Sequence, residues 1–226
     1  MLVAKNLTKI YTTAEGENKV LDNLCFHGKS GELCIVTGKS GCGKSTLLNV
    51  LSCLDNAQSG QLEICGKRIS QSHRQLCRIR REDIGFIFQG YNLISSLTAL
   101  ENVELGLKYR KVSRTQRKIL AQNALCQVGM EHRCGYLPHQ LSGGQQQRVA
   151  IARAIVLKPK ILFCDEPTGN LDGESAQLVL DKIIQLKNNG TLVVMITHDM
   201  SLLPLADRVF VLEDGRLKQR GKMEQN

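Results

Sequence analysis

Hydrophobic positions along the 226-residue chain follow two alternating periods. Leu2–Thr8 and Val20–His27 alternate apolar and polar side chains, the pattern of half-buried strands. Leu33–Thr37 is an apolar run that ends at Gly38, which predicts a strand covered on both faces. Ser45–Leu54 reads as a helix, Ser59-Gly60 as a turn, and Gln61–Cys65 and Ile84–Phe88 as further strands. From Gly90 to Pro159 the period becomes helical, with helices expected over Thr98–Arg110, Ser113–Val128 and Gly143–Leu157. Alternation then resumes: strand Ile161–Cys164, helix Glu174–Lys187, strand Thr191–Ile196, helix Ser201–Leu205 and strand Arg208–Leu212. Asp214-Gly215 is a turn into a basic tail, Arg216–Lys222.

Strands alternating with helices imply an α/β protein, a parallel sheet with helices on both faces. The α/β pattern runs on both sides of the helical block, so the chain reads as one domain. Residues 1–89 and 159–226 form the α/β core with its β edge, and residues 90–158 form an inserted helical lobe. The longest apolar run is five residues, Leu192–Ile196. A membrane-spanning helix needs about 20, so the chain is not expected to cross a bilayer by itself. Met1–Tyr11 has no apolar stretch followed by a small-residue cleavage site, which argues against a secretory signal.

A formal charge of +9 points to an anionic partner without choosing among nucleic acid, a phosphorylated ligand and an acidic membrane. Two basic stretches stand out, Lys67–Arg81 and Lys108–Lys118, readable as solvated faces or as surfaces for anionic lipid. Aromatic residues make up 4% with no Trp, so no nucleic acid partner is expected. The nine cysteines show no CxxC pair and read as reduced thiols, mostly small core residues such as Cys25, Cys34, Cys65 and Cys164.

Three motifs carry chemistry. Gly38-Lys39-Ser40-Gly41-Cys42-Gly43-Lys44-Ser45, followed by Thr46, fits GxxxxGK[ST] between a buried strand and a helix. The glycines let successive N–H groups point into one hollow at the positive end of the helix. Lys44 would reach the β- and γ-phosphates and the Ser45 hydroxyl would bind Mg²⁺. Ile161–Cys164 runs into Asp165-Glu166, two carboxylates at the carboxyl end of a strand, where sites lie in open α/β sheets. Asp165 is placed to hold Mg²⁺ and Glu166 to orient and deprotonate an attacking water. Leu141-Ser142-Gly143-Gly144-Gln145 opens a helix in the lobe and offers a second phosphate-binding surface. Two chains arranged head to tail could each give one such loop to each nucleotide.

Together these motifs resemble, in order and over essentially the whole chain, the nucleotide-binding subunit of an ATP-binding-cassette (ABC) transporter. The resemblance implies a P-loop NTPase fold of the ABC ATPase type, with an antiparallel β edge from the N-terminal segments and the helical lobe. It implies ATP and Mg²⁺ as cofactors and hydrolysis of ATP by a homodimer. Tyr11 sits where the family stacks an aromatic ring on adenine, Gln89 is the glutamine-loop residue near Mg²⁺, and His198 is the switch histidine at the γ-phosphate. Gly169-Asn170-Leu171-Asp172 is the D-loop, and residues 141–145 would touch the partner chain's ATP. Cys42 stands where the family more often has Ser or Ala.

Ile87–Leu93, Gln140–Arg148 and Asp165–Asp172 resemble the lipoprotein-release and macrolide-export branch. That branch implies a separate membrane subunit, a permease or mechanotransmitter, with the ATPase peripheral on the cytoplasmic face of the inner membrane. Soluble DNA-repair and chromosome-maintenance ATPases share the two-loop clamp. They usually carry a coiled coil or zinc modules between the half-sites, whereas 96 residues separate Lys44 from Leu141 here, with no heptad run. A small-molecule kinase would explain the phosphate loop but not LSGGQ.

Overall fold

A computed structural model describes residues 1–14, 16–70, 72–169 and 171–220. The chain opens with a hairpin, β1 (Leu2–Thr13) and β2 (Gly16–Gly28), then enters β3 (Leu33–Thr37) and helix α1 (Lys44–Leu51). It returns to the hairpin as β4 (Ser59–Ile64) and β5 (Lys67–Arg68), and α2 (His73–Glu82) leads into β6 (Ile84–Ile87). Three helices follow: α3 (Ala99–Tyr109), α4 (Arg114–Cys126) and α5 (Gly143–Ile155). Then come β7 (Ile161–Asp165), α6 (Gly173–Asn188), β8 (Leu192–Ile196), β9 (Arg208–Glu213) and β10 (Arg216–Arg220).

The central sheet has the order β10-β9-β3-β8-β7-β6 and is parallel except for the β9–β10 pair. Its inner strands serve two cores at once, because side chains alternate with a period of two. Cys34, Val36, Ile161, Phe163, Leu192, Val194 and Ile196 face the N-terminal sheet and α1. Leu33, Ile35, Leu162, Cys164, Val193 and Met195 face the helices. This is why those strands read as unbroken apolar runs. Burial raises the Cys34 thiol to about 12 and pushes the Cys164 thiol higher still. The second core joins Val103, Ala121, Leu125 and Val149 of the helices to the underside of the sheet.

The antiparallel β edge expected from the N-terminal segments forms as a separate four-stranded sheet, β2-β1-β4-β5. It meets the central sheet at β10, where Arg216 grips Asp22 at 2.9 Å and the Asp22 N–H donates to the Gly215 carbonyl.

Several expectations need correction. The basic tail is strand β10 as far as Arg220; Gly221 and Lys222 lie outside the described residues. Asp214 and Gly215, both at positive φ (48° and 72°), make the tight turn that folds it back on β9. Helix α2 was not expected, because its ten residues are mostly charged or polar and only Leu76 and Ile79 are buried. The expected helix over Ser201–Leu205 is a 3₁₀ turn, Met200–Leu205, with Pro204 inside it. Cys25 is exposed rather than core, its thiol donating to the Asn6 side chain. Among the described residues no helix is long and apolar enough to cross a membrane.

Candidate active site

The register of the central sheet gathers the site. Ile87 pairs with Cys164, so Gln89 and Glu166 leave adjacent strands at the same level. Asp165 pairs with Ile196, and Ile196 with Val36, which sets His198 and the loop from Gly38 at the same edge. All five therefore stand at the carboxyl ends of parallel strands, the place where open α/β sheets put their ligands.

The loop 38–46 wraps the start of α1. Gly43, at φ 99°, is the residue before the helix, and no side chain caps it. The first turn's N–H groups are left to face the loop's hollow. A Cβ on Gly43 would lie 2.6 Å from the Val20 methyl of β2, so both the backbone angle and the packing demand glycine. The Lys44 ammonium donates to the carbonyls of Gly38 (2.9 Å) and Lys39 (2.8 Å), folded onto its own loop. Cys42 packs inward: its sulfur lies 2.8 Å from where a Gly38 Cβ would sit, and it borders the apolar core.

Beside the loop, the Ser45 hydroxyl lies close to the Asp165 carboxyl and favours its charged form. Burial lifts the Asp165 carboxyl above the usual range, against the Ser45 hydroxyl and the Lys44 charge, while the Glu166 charge adds to the rise. A half-buried carboxylate beside a hydroxyl at the mouth of a phosphate loop is a hard-oxygen pair suited to Mg²⁺. Gln89, the third expected metal residue, is exposed beyond the end of β6.

Glu166 and His198 come together directly. His198 Nδ1 lies 2.6 Å from Glu166 Oε2; the Glu166 side chain is 17% exposed and the imidazole 69%. Glu166 also holds a left-handed backbone, φ 45°, pinned by its N–H donating to Ile196 O. Backbone strain of this kind on a non-glycine residue concentrates at functional sites.

Tyr11 is 38% exposed near the tip of the β1–β2 hairpin. It pairs with Asn18, two residues from the Val20 that touches Gly43, so the hairpin overhangs the phosphate loop. Its hydroxyl donates to Asp55 at 2.9 Å, and the Lys9 ammonium lies 4.8 Å from the ring centre. Neither neighbour was foreseen from the sequence.

Residues 141–145 stand elsewhere. Leu141 is buried, and Ser142 and Gln145 form a capping box on α5. Among the described residues no hydrogen bond or ion pair joins this segment to residues 38–46. Gly144 instead packs against Ser175 and Asp172. Asp172 caps α6, and its bonds from the Ser175 N–H and hydroxyl hold its carboxyl below the usual range. Asn170, the other polar residue of that loop, lies outside the described residues.

Comparison with known proteins agrees with this geometry. Residues 21–169 match the ABC transporter family. The chain belongs to that family. It is 44% identical over 218 residues to an uncharacterised ABC transporter ATP-binding protein of Methanocaldococcus jannaschii, covering 96% of this chain and 97% of that one. It is 41% identical to the macrolide export ATP-binding/permease protein MacB of Escherichia coli K12, covering 96% of this chain but 34% of MacB. Among solved structures, the dimeric, post-hydrolysis ATP-binding cassette MJ0796 with ADP and Pi superposes with a TM-score of 0.91 at 38% identity. That match covers 98% of this chain and all of the other. The chain is thus an ABC ATPase, the ATP-binding subunit of a transporter.

Proposed function

We propose that two copies of the chain clamp two ATP molecules head to tail, and that hydrolysis opens the clamp to drive a separate membrane subunit. In each half-site residues 38–46 of one copy would hold the phosphates, and Leu141, Ser142, Gly143, Gly144 and Gln145 of the other would cover them. Lys44 exchanges its two loop carbonyls for phosphate oxygens, so nucleotide entry replaces existing bonds rather than ordering a free side chain. Tyr11 offers a ring face to adenine. Ser45 and Asp165, with Gln89 nearby, would hold Mg²⁺, which supplies charge neutralisation to the phosphate oxygens.

The observation that carries this reading is the His198–Glu166 contact beside the Ser45–Asp165 pair. Glu166 takes the proton of the attacking water while His198 fixes the orientation of its carboxylate. The protein contributes position and a fixed electrostatic environment.

The sequence likeness to MacB and the Ile87–Leu93 and Asp165–Asp172 segments favour export, lipoprotein release or envelope mechanotransmission. The corresponding location is peripheral, on the cytoplasmic face. The decisive experiment is Glu166→Gln. ATP binding should persist, hydrolysis should fall by about 100-fold or more, and Mg-ATP should trap a dimer visible by light scattering. A variant that binds ATP yet stays monomeric at high concentration overturns the two-copy site. Retention on DNA at physiological salt, without co-purification of a membrane protein, would favour a repair ATPase instead.

A further inference from the structure

Helix α5 begins with Ser142 as its cap and the two signature glycines, and it is bolted to the segment that follows Gln89. Arg153, three turns along α5, donates to Tyr91 O at 2.7 Å and to Asn92 O at 2.5 Å. Its guanidinium is largely buried and has no carboxylate partner among the described residues; both bonds go to backbone. Tyr91 and Asn92 hold left-handed backbones, φ 61° and 48°. That conformation is rare for a bulky residue such as Tyr and persists only where its surroundings enforce it. One guanidinium holding both carbonyls provides part of that enforcement, alongside the Tyr91 and Asn92 N–H groups donating to Phe88 O and Gly90 O. The Tyr91 side chain then runs back along α5 to the signature. Its hydroxyl lies 2.8 Å from where a Cβ of Gly143 would be, in space that only a glycine at that position leaves open.

We infer that Tyr91 and Arg153 are positioning residues that lock the Gln89 segment and the signature of the same chain into one moving piece. Resting on the two-copy reading above, this has a definite consequence. Gln89 faces the chain's own nucleotide, whereas the signature faces the partner's. A rigid link between them makes each nucleotide sense the other, and cooperativity in ATP hydrolysis depends on it. The phosphate loop is not part of the link, so ATP binding to one chain does not.

The same helix also grips the other site loop: Gln147, fully buried, donates to Pro167 O at 2.7 Å, one residue beyond Glu166. The Gln147 bond uses neither Tyr91 nor Arg153 and should survive their substitution, which separates loss of the link from loss of the whole helix.

The test is the ATP dependence of hydrolysis in wild type, Tyr91→Phe, Tyr91→Ala, Arg153→Lys and Arg153→Met, alongside equilibrium binding of a fluorescent ATP analogue. With two coupled sites the wild-type Hill coefficient should approach about 2. Tyr91→Ala and Arg153→Met should bring it to about 1 with analogue affinity within roughly threefold. Arg153→Lys, which can reach one carbonyl, and Tyr91→Phe, which loses the hydroxyl nearest Gly143 but keeps the ring, should both fall between. Should Arg153→Met fold poorly, Tyr91→Ala carries the same reading, because it leaves the buried guanidinium satisfied. Cooperative wild type with equally cooperative Tyr91→Ala and Arg153→Lys overturns the link alone. Proportional loss of analogue binding and hydrolysis also overturns it, as a merely structural role. A wild type that is non-cooperative and monomeric with ATP overturns the two-copy reading and the link together.

Discussion

His198 can serve the reaction in two ways, and the structure makes them separable. Its Nδ1 is engaged by Glu166 at 2.6 Å, which leaves Nε2 as the atom that could face a γ-phosphate. The perturbation is His198→Ala, with His198→Gln keeping a donor. A hydrogen bond to a charged group contributes about 1.5–3 kcal/mol. The imidazole is 69% exposed, so the lower end of that range applies, and roughly a tenfold loss of kcat is expected from a worse-placed base. ATP affinity should hold within about threefold, since the loop around Lys44 supplies the phosphate contacts. Single-turnover hydrolysis measures the chemical step, and analogue binding measures affinity. The decisive comparison is the double variant. If His198 acts through Glu166, Glu166→Gln with His198→Ala is no slower than Glu166→Gln alone, because the same function has already been removed. If the second substitution lowers the residual rate by the same factor as in wild type, His198 acts on the phosphate independently and the orienting role is refuted.

Asp165 links function to stability through its raised carboxyl. A carboxyl whose folded value lies above its unfolded one destabilises the fold once pH exceeds the unfolded value of about 3.9, with the cost fully present above the folded value. Asp165→Asn should therefore raise the nucleotide-free Tm at pH 7, with the gain shrinking toward pH 4; a gain independent of pH counts against it. Phe163 is fully buried and stacked 6.2 Å from Phe86, so Phe163→Ala should cost about 3–5 kcal/mol, read as a lower midpoint in urea. A loss under about 1 kcal/mol would mean that the first core relaxes around the gap.

Much of the fold was legible because strand and helix periods are local. The fully apolar runs at Leu33–Val36 and Leu192–Ile196 could be placed inside the sheet from composition alone, since both faces are covered. Helix α2 was missed although its signal was present: Leu76 and Ile79, three residues apart, share one face of an otherwise charged segment. Strand β10 was missed although its signal was present. Asp214-Gly215 is a hairpin dipeptide, but Arg216–Arg220 has a solvent-facing composition, and pairing with β9 rests on backbone bonds that no side chain announces.

The site divides along the same line. Residues 38–46, Asp165-Glu166 and 141–145 could be singled out from the sequence because their chemistry needs particular residue types at fixed spacing. The Glu166–His198 contact spans 32 positions, and it follows from register: once β7 pairs with β8, the residues just past their ends must meet. What escaped were the groups that hold the loops in place. Arg153 and Gln147 donate to carbonyls, and a carbonyl belongs to every residue, so nothing at positions 91, 92 or 167 marks the partner. Tyr91 is hidden in the same way, since what it touches at 143 is a missing side chain. Motifs expose the atoms that touch substrate. The atoms that decide how two motifs move together are visible only in three dimensions, and in this chain they converge on α5, a helix whose N-terminus is itself a motif.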